Sequence, residues 1–357
     1  MTAAKLTKYI KMDPHVPNLQ KIRLAAKILS RGGVVAFPTE TVYGLGANAL
    51  DSRAVRRIFY AKGRPADNPL IVHIASFRDL KKLVAYIPPR TRLLAHHFWP
   101  GPLTLVLPRS EIIPDVVTAG LDTVGIRMPS HPVARALIRV AHLPIAAPSA
   151  NISGRPSPTT GHHVLRDMGG KIDAVVDAGP ADVGVESTVL DLTTPVPMIL
   201  RPGGVTKESL EAVLGKVMLD PALQQQQQVT APRAPGLKYR HYAPQGELFL
   251  VAGELTRVTA RIRALVAAWQ QKGCRVAVLA TTETAAAYRE DPRPDYLAVL
   301  GSRSRLDSIA ANLFSALRNC DRYHIDIILA EAVAEEGLGL AIMNRLRKSS
   351  ANRIIRV

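Results

Sequence analysis

The feature that most limits what this chain can fold into is a change of texture after residue 217. Five consecutive glutamines, Gln224–Gln228, lie among Pro221, Pro232 and Pro235. Such a segment offers no periodic apolar face and cannot hold a core, so it reads as a linker. At 357 residues the chain is long enough for a separate core on each side of it. The expected organisation is a first domain over residues 10–217, a linker or lid over 218–246 and a second domain over 247–357.

The two flanks differ in pattern. Beyond the linker, strand-like runs at 248–251, 275–279, 296–300 and 325–329 alternate with helical stretches at 255–271, 282–289 and 304–320. The last helix carries Leu306, Ile309, Ala310, Leu313, Phe314 and Leu317 on one face. That alternation predicts a small parallel, doubly wound α/β domain of Rossmann-like type. Before the linker the spacing is irregular. Strands are expected at 34–37, 70–74, 103–107, 123–128, 145–147, 174–177, 188–192 and 198–200. Helices are expected at 18–31, after Asp51, and at 76–85, 89–98, 131–141, 160–168 and 206–214. Many strands without a repeated βαβ spacing predict a mixed α/β sheet.

A net charge of +17 invites a nucleic-acid reading. Its distribution weakens that reading, since residues 1–225 carry a net +10 and residues 226–357 a net +7. The densest cluster, Arg345, Arg347, Lys348, Arg353 and Arg356, reads as a solvated helix end. Cys274 and Cys320 lie far apart, which supports neither a disulfide framework nor a thiolate metal site. No apolar run reaches the ~18 residues of a membrane span, and the start has no apolar signal core. A reducing cytoplasm is the expected setting, and the sequon at Asn151 is taken as chance.

Familiar nucleotide and hydrolase signatures are absent: there is no G-x-x-x-x-G-K-[ST], no strand-borne G-x-G-x-x-G, no H-E-x-x-H and no G-x-S-x-G. Polar residues gather instead beside Gly and Pro at predicted strand ends. PTETVYGLG (38–46) supplies Thr41, and KGRPADNPLIVH (62–73) supplies Lys62, Arg64, Asn68 and His73. WPGPLT (99–104) is a rigid turn, and TVGIRMPSH (123–131) supplies Thr123 and Arg127. APSANISGRPSPT (147–159) carries Ser149, Asn151, Ser157 and Thr159, while VESTVLD (185–191) and LRPGG (200–204) add Ser187 and Arg201. Taken singly each has a bland reading: a lysine at a helix end complements the dipole, and Ser or Asn among prolines builds turns. Arg127 is the hardest to dismiss, because a guanidinium flanked by apolar residues on a strand must find an anionic partner or face water. Together, four cations among hydroxyls and amides suit a polyanion with a carboxylate. From chemistry alone the reading is an anion-binding α/β enzyme or an RNA binder.

In these stretches, spread over roughly residues 20–215, the sequence resembles the YrdC-like family of L-threonylcarbamoyladenylate synthases. The string APGLKYRHYAP, residues 234–244, resembles the long form, which has an added C-terminal domain. The resemblance implies an open, twisted mixed sheet with a concave basic cavity. It implies that threonine meets Thr41, His73, Arg127, Ser149 and Ser187, with Arg127 on the α-carboxylate. It implies that ATP meets Lys62, Arg64, Asn68, Thr123, Asn151, Ser157, Thr159 and Arg201, with Tyr239 and His241 added from the linker. Lys62 and Arg64 would stabilise phosphate charge as the catalytic pair. Mg²⁺ is implied with the triphosphate, held by phosphate oxygens and water, with no protein metal site. The implied partners are ATP, threonine, bicarbonate, a separate threonylcarbamoyl transferase complex and a weak contact to tRNA, with no membrane. The rival from another class is a basic RNA-binding or ribosome-assembly factor without catalysis. It leaves the strand-borne Arg127 and His73 unexplained. A carbamoyl-phosphate-using maturation protein would need C-x-x-C zinc fingers, which are absent here.

Overall fold

Short polar residues decide where the first helices begin. The Asn18 side chain accepts from the Lys21 amide and caps the helix Leu19–Ser30. Asp51 accepts from the amides of Arg53 and Ala54 and caps Ser52–Lys62. Gly63, in the left-handed conformation at φ 59°, ends that second helix. Lys62 is therefore its last residue, and Arg64 leaves on the following turn. The computed structural model describes residues 6–223 and 241–357. They form two units, one built on 6–223 and one on 241–357, with the short loops Gly154–Pro156 and Val183–Val185 counted in the second.

The first unit is built on β1 (Lys8–Lys11), β2 (Val35–Phe37), β3 (Gly44–Asn48), β4 (Ile71–His73), β5 (Leu103–Pro108), β6 (Thr123–Arg127), β7 (Ile145–Ala146), β8 (Ala174–Asp177), β9 (Thr188–Asp191), β10 (Met198–Arg201) and β11 (Met218–Leu219). They form one sheet in the order β1-β8-β2-β3-β7-β4-β6-β5-β9-β10-β11. Parallel pairs such as β4 with β6 alternate with antiparallel ones such as β5 with β6, so the sheet is mixed as expected. The period of two along each strand sorts the core. Val35, Phe37, Ala174 and Val176 face the helices Leu19–Ser30 and Pro132–Ala141. Ala36 and Val175 belong to the larger cluster with Val55, Ile58 and Leu105 on the other face.

Three local outcomes differ from the sequence reading. The glycine-rich segment after Tyr43 forms strand β3, where a loop was expected. A Cβ on Gly46 would meet Phe37 and Ile145 side chains at 2.7 Å, so this glycine admits close packing inside a sheet. Strand β11 pairs in parallel with β10 and carries the sheet past residue 217, into the expected linker. The helix expected at 76–85 is a 3₁₀ turn, Phe77–Asp79, followed by the single turn Leu80–Leu83, and a capping box between Ser76 and Asp79 marks where it starts.

In the second unit β12 (Glu247–Ala252), β13 (Val276–Ala280), β14 (Tyr296–Val299), β15 (Ile327–Glu331) and β16 (Ile354–Arg356) form a five-stranded sheet, β14-β13-β15-β12-β16. Every neighbouring pair is parallel. Helices Leu255–Gln270 and Leu306–Arg322 fall where the apolar stripes placed them. The helix expected at 282–289 shrinks to the 3₁₀ turn Ala285–Tyr288. A further helix, Gly339–Ser349, corrects the reading of the basic cluster. Arg345 is fully buried, with its guanidinium 5.5 Å from the Tyr242 ring centroid. Ala341, Ile342 and Leu346 share that burial, so a charged composition concealed an amphipathic helix. Among the described residues no helix is long and apolar enough to cross a membrane.

Candidate active site

Strand register brings the first group together. His73 ends β4 directly opposite Arg127, which ends β6. Thr104 of β5 lies opposite Arg127 on the other side. The chain enters β9 through Ser187, whose hydroxyl is 2.8 Å from that of Thr104. Arg201, at the end of β10, donates to the Ser187 hydroxyl at 3.2 Å and to its carbonyl at 3.0 Å. Four strand residues and Ser187, just before β9, thus come together.

Arg127 is the hub of this edge and is buried. Its Nη1 donates to the Thr41 hydroxyl at 2.9 Å, its Nε to the Gly101 carbonyl at 3.2 Å, and its Nη2 lies 2.7 Å from Glu40. The anionic partner that Arg127 needs is therefore Glu40, within PTETVYGLG, a residue the sequence reading passed over. Burial alone would raise the Glu40 carboxyl, but the charge and hydrogen bond of Arg127, aided by the Ser130 amide, hold it below the usual carboxylate range. His73 goes the other way. Burial first, and then the Arg127 charge, push its imidazole down to about 3, so it is neutral near pH 7. Its Nδ1 has no hydrogen-bond partner among the described residues.

A second group is centred on Lys62, itself buried. The ammonium donates to the carbonyls of Ser149 at 2.5 Å and Asn151 at 2.6 Å. The Ser149 hydroxyl reaches the Asn151 amide oxygen at 2.5 Å. Arg64 donates to the carbonyls of Asn68 at 3.2 Å and Pro69 at 3.3 Å. Asn68 is buried, and both atoms of its side-chain amide lack a partner among the described residues. Since an unmet buried amide costs on the order of 1–3 kcal/mol, such a group marks a place where a ligand is expected. Thr123 starts β6, four residues from Arg127, and shares a small cleft with Pro69.

Loops join the two groups. The Tyr43 amide donates to Pro158 O at 2.9 Å, and Ala150 N donates to Tyr43 O at 2.8 Å. The loop bearing Thr39 to Thr41 is thereby stitched to the loop bearing Ser149, Asn151, Ser157 and Thr159. The Ser157 hydroxyl donates to Glu186 at 2.6 Å, next to Ser187. Thr159 lies beside His163, its hydroxyl 3.4 Å from Nδ1. Contacts thus run in a closed ring through 39–43, 157–158, 186–187, Thr104 and Arg127, with Arg201 joined to it at Ser187. Gly203 permits the last approach: a Cβ there would meet Glu186 O at 2.2 Å and the Thr188 amide at 2.4 Å. Outside the ring, the Tyr43 hydroxyl lies within hydrogen-bonding distance of two acceptors, Asp177 at 2.8 Å and Gly179 O at 2.6 Å.

Of the remaining candidates, Tyr239 lies outside the described residues. His241 belongs to the second unit, its ring 5.6 Å from that of Tyr242. Glu40, Thr104 and Glu186 carry no signal of these contacts in the sequence. All three stand inside the sequence motifs, but their type suggested turn or surface roles.

A mixed-sheet domain that closes Arg127, two carboxylates and a run of hydroxyls into one ring, with Arg201 and Lys62 bonded to its loops, is that of an enzyme acting on small anionic substrates. Two family models match the chain: one described as Telomere recombination over residues 27–203, and one described as Threonylcarbamoyl-AMP synthase, C-terminal domain, over residues 205–351. The threonylcarbamoyl-AMP synthase of Pyrococcus abyssi is 54% identical over 337 residues, covering 94% of this chain and 96% of the relative. That of Bacillus subtilis is 50% identical over 340 residues, covering 95% of each. The structure of P. abyssi Sua5 complexed with L-threonine superposes with a TM-score of 0.92 at 51% identity, covering 99% of this chain and all of that one. The chain belongs to the threonylcarbamoyl-AMP synthase family.

Proposed function

We propose that this chain is an L-threonylcarbamoyladenylate synthase, condensing L-threonine, bicarbonate or CO₂ and ATP into threonylcarbamoyl-AMP and pyrophosphate for tRNA modification. The observation that carries the reading is the closed ring of contacts around Arg127, to which Lys62 is tied through Ser149 and Asn151. Arg127 is the residue for the threonine carboxylate, with Thr41, His73, Ser149 and Ser187 around it. His73, kept neutral, offers a hydrogen-bonding ring without adding a charge beside Arg127. Lys62, Arg64, Arg201, Asn68, Asn151, Ser157, Thr159 and Thr123 are the groups for ATP, and Tyr239 and His241 are carried as further candidates.

The reaction asks little covalent work of the protein. The threonine amine loses a proton and forms a C–N bond with the carbon of CO₂; from bicarbonate the same bond forms as the C–OH bond breaks and the hydroxyl leaves with that proton as water. A carbamate oxygen then bonds to the α-phosphorus as the bond to the pyrophosphate oxygen breaks. Orientation and charge stabilisation are the main levers in such phosphoryl chemistry. This agrees with a site rich in hydrogen-bond donors. Mg²⁺ would enter with the triphosphate and neutralise its charge. Among the described residues no three His, Cys, Asp or Glu side chains are grouped to hold a metal, so phosphate oxygens and water would be its ligands. The product would pass to a separate transferase complex. The test is incubation of the protein with the three substrates, following pyrophosphate and, by mass spectrometry, the adenylate. Release must require threonine and bicarbonate together. Equal release with either omitted contradicts the scheme, and RNA affinity without turnover favours the binding-factor alternative.

A further inference from the structure

The second unit has its own cavity, of about 310 Å³, which the scheme above does not use. Its polar lining is Arg303, Arg347, Arg356 and Glu335, and its apolar lining includes Met343 and Ile354. It opens at Ala252 and Gly253, where β12 ends, and at Ala332 to Ala334, just beyond β15. The chain leaves β12 towards β13, on the far side of β15, whereas it leaves β15 towards β16, on the far side of β12. The winding therefore reverses between these two neighbours. In open parallel sheets such a reversal leaves a crevice at the carboxyl ends of the strands, where ligands bind.

The arginines are arranged for an anion. Arg303 is braced by two of its nitrogens, Nε on the Thr281 hydroxyl at 3.1 Å and Nη2 on Glu331 at 3.3 Å. Glu331 is itself buried and fixed by the Thr281 amide at 3.0 Å and the Tyr288 hydroxyl at 2.7 Å. Arg303 Nη1 has no partner among the described residues and belongs to a side chain that lines the cavity. Arg356 is exposed and likewise unpaired among them. Arg347 makes a two-pronged pair with Glu335. Three cations thus stand against two carboxylates, Glu335 in the lining and Glu331 behind Arg303, which leaves a net positive charge and the open Arg356 for an anionic group. The nearby helix Leu255–Gln270 cannot supply the anion site with its N-terminus, because Glu254 already caps it. Recognition falls to the guanidinium groups.

We infer that this cavity binds a phosphate monoester of sugar-phosphate or mononucleotide size. Its volume is at the small end of the roughly 300–1,000 Å³ typical of ligand pockets, and the apolar lining gives the uncharged part of the ligand a surface. Full-length, isotope-labelled protein titrated with ribose 5-phosphate and with AMP tests this, because amide resonances report each unit separately. The Gly253 and Ala334 amides should shift saturably with both, and ribose should leave them unmoved. Arg356→Glu should weaken that response by about tenfold or more, and Arg303→Lys should weaken it less. Shifts absent up to about 10 mM ligand, or undiminished in Arg356→Glu, overturn the inference. A response to hydroxyl-ended RNA but to neither small phosphate overturns it too. Response to 5′-phosphorylated RNA, but not to its hydroxyl-ended counterpart, supports it and names the source of the monoester.

Discussion

Removing the Arg127 guanidinium separates what this residue does for the fold from what it does for threonine. In Arg127→Met the Thr41 hydroxyl and the Gly101 carbonyl lose a donor, and buried Glu40 loses its cation. Breaking a buried pair from one side costs about 3–5 kcal/mol. Glu40 can recover part of this by taking up a proton, so a net loss of about 3 kcal/mol is expected. The contact to the threonine carboxylate is charge-assisted and worth about 1.5–3 kcal/mol, which is roughly a 10- to 150-fold rise in Kd. The double variant Arg127→Met/Glu40→Gln removes the stranded charge. It should recover most of the stability while threonine affinity stays low and ATP affinity changes little. Denaturant unfolding and calorimetric titration of the three proteins give both numbers. If the double variant bound threonine within about twofold of the parent, Arg127 would not hold the carboxylate.

Four further outcomes are expected. Lys62→Met should depress turnover by roughly 10²-fold, as loss of one preorganised donor does, and steady-state pyrophosphate release measures it. Stability should fall as pH drops from about 6.5 towards about 3, because the unfolded chain protonates His73 through that window and the folded one does not. Burial lowers His131 as well and gives a slope of the same sign, so His73→Phe should flatten only part of the curve in pH-dependent denaturant melts. Gly203→Ala should destabilise by about 1–3 kcal/mol, since its methyl has no space against the backbone of Glu186 and Thr188, and should slow turnover by displacing Ser187. Serine should replace threonine poorly, its kcat/KM lower by about 1–3 kcal/mol for the missing methyl.

Most of this architecture could be read before any coordinates because its signals are local. The stripe from Leu306 to Leu317 and the Asp51 cap each act within a few residues, and helices appear where they point. Long-range compensation was harder to read. Gly44 and Gly46 looked like loop formers because only the proximity of Phe37 and Ile145 explains why a strand there must be bare. Arg345 looked solvated because its aromatic neighbour, Tyr242, lies about a hundred residues earlier. Arg127 was legible as a residue in need of an anion, but Glu40 was not legible as that anion. The pairing depends on a loop folding back over β6, which no spacing along the chain encodes.

The order of strands across the first sheet also bears on how the molecule is made. Lys8 of β1 pairs with Ala174 of β8, and Ser187 finds Arg201 later still. On a ribosome adding roughly 5–20 residues per second, β1 waits on the order of 10–30 seconds for its neighbour. Strands β2 to β7 emerge during that interval with an unmated edge at β2. Its short apolar run, Val35–Phe37, keeps the backbone groups of that edge unpaired until β8 arrives. The enzyme's most vulnerable moment therefore belongs to synthesis. Slower translation between residues 37 and 174 should lower the yield of native protein without altering the melting point of what survives.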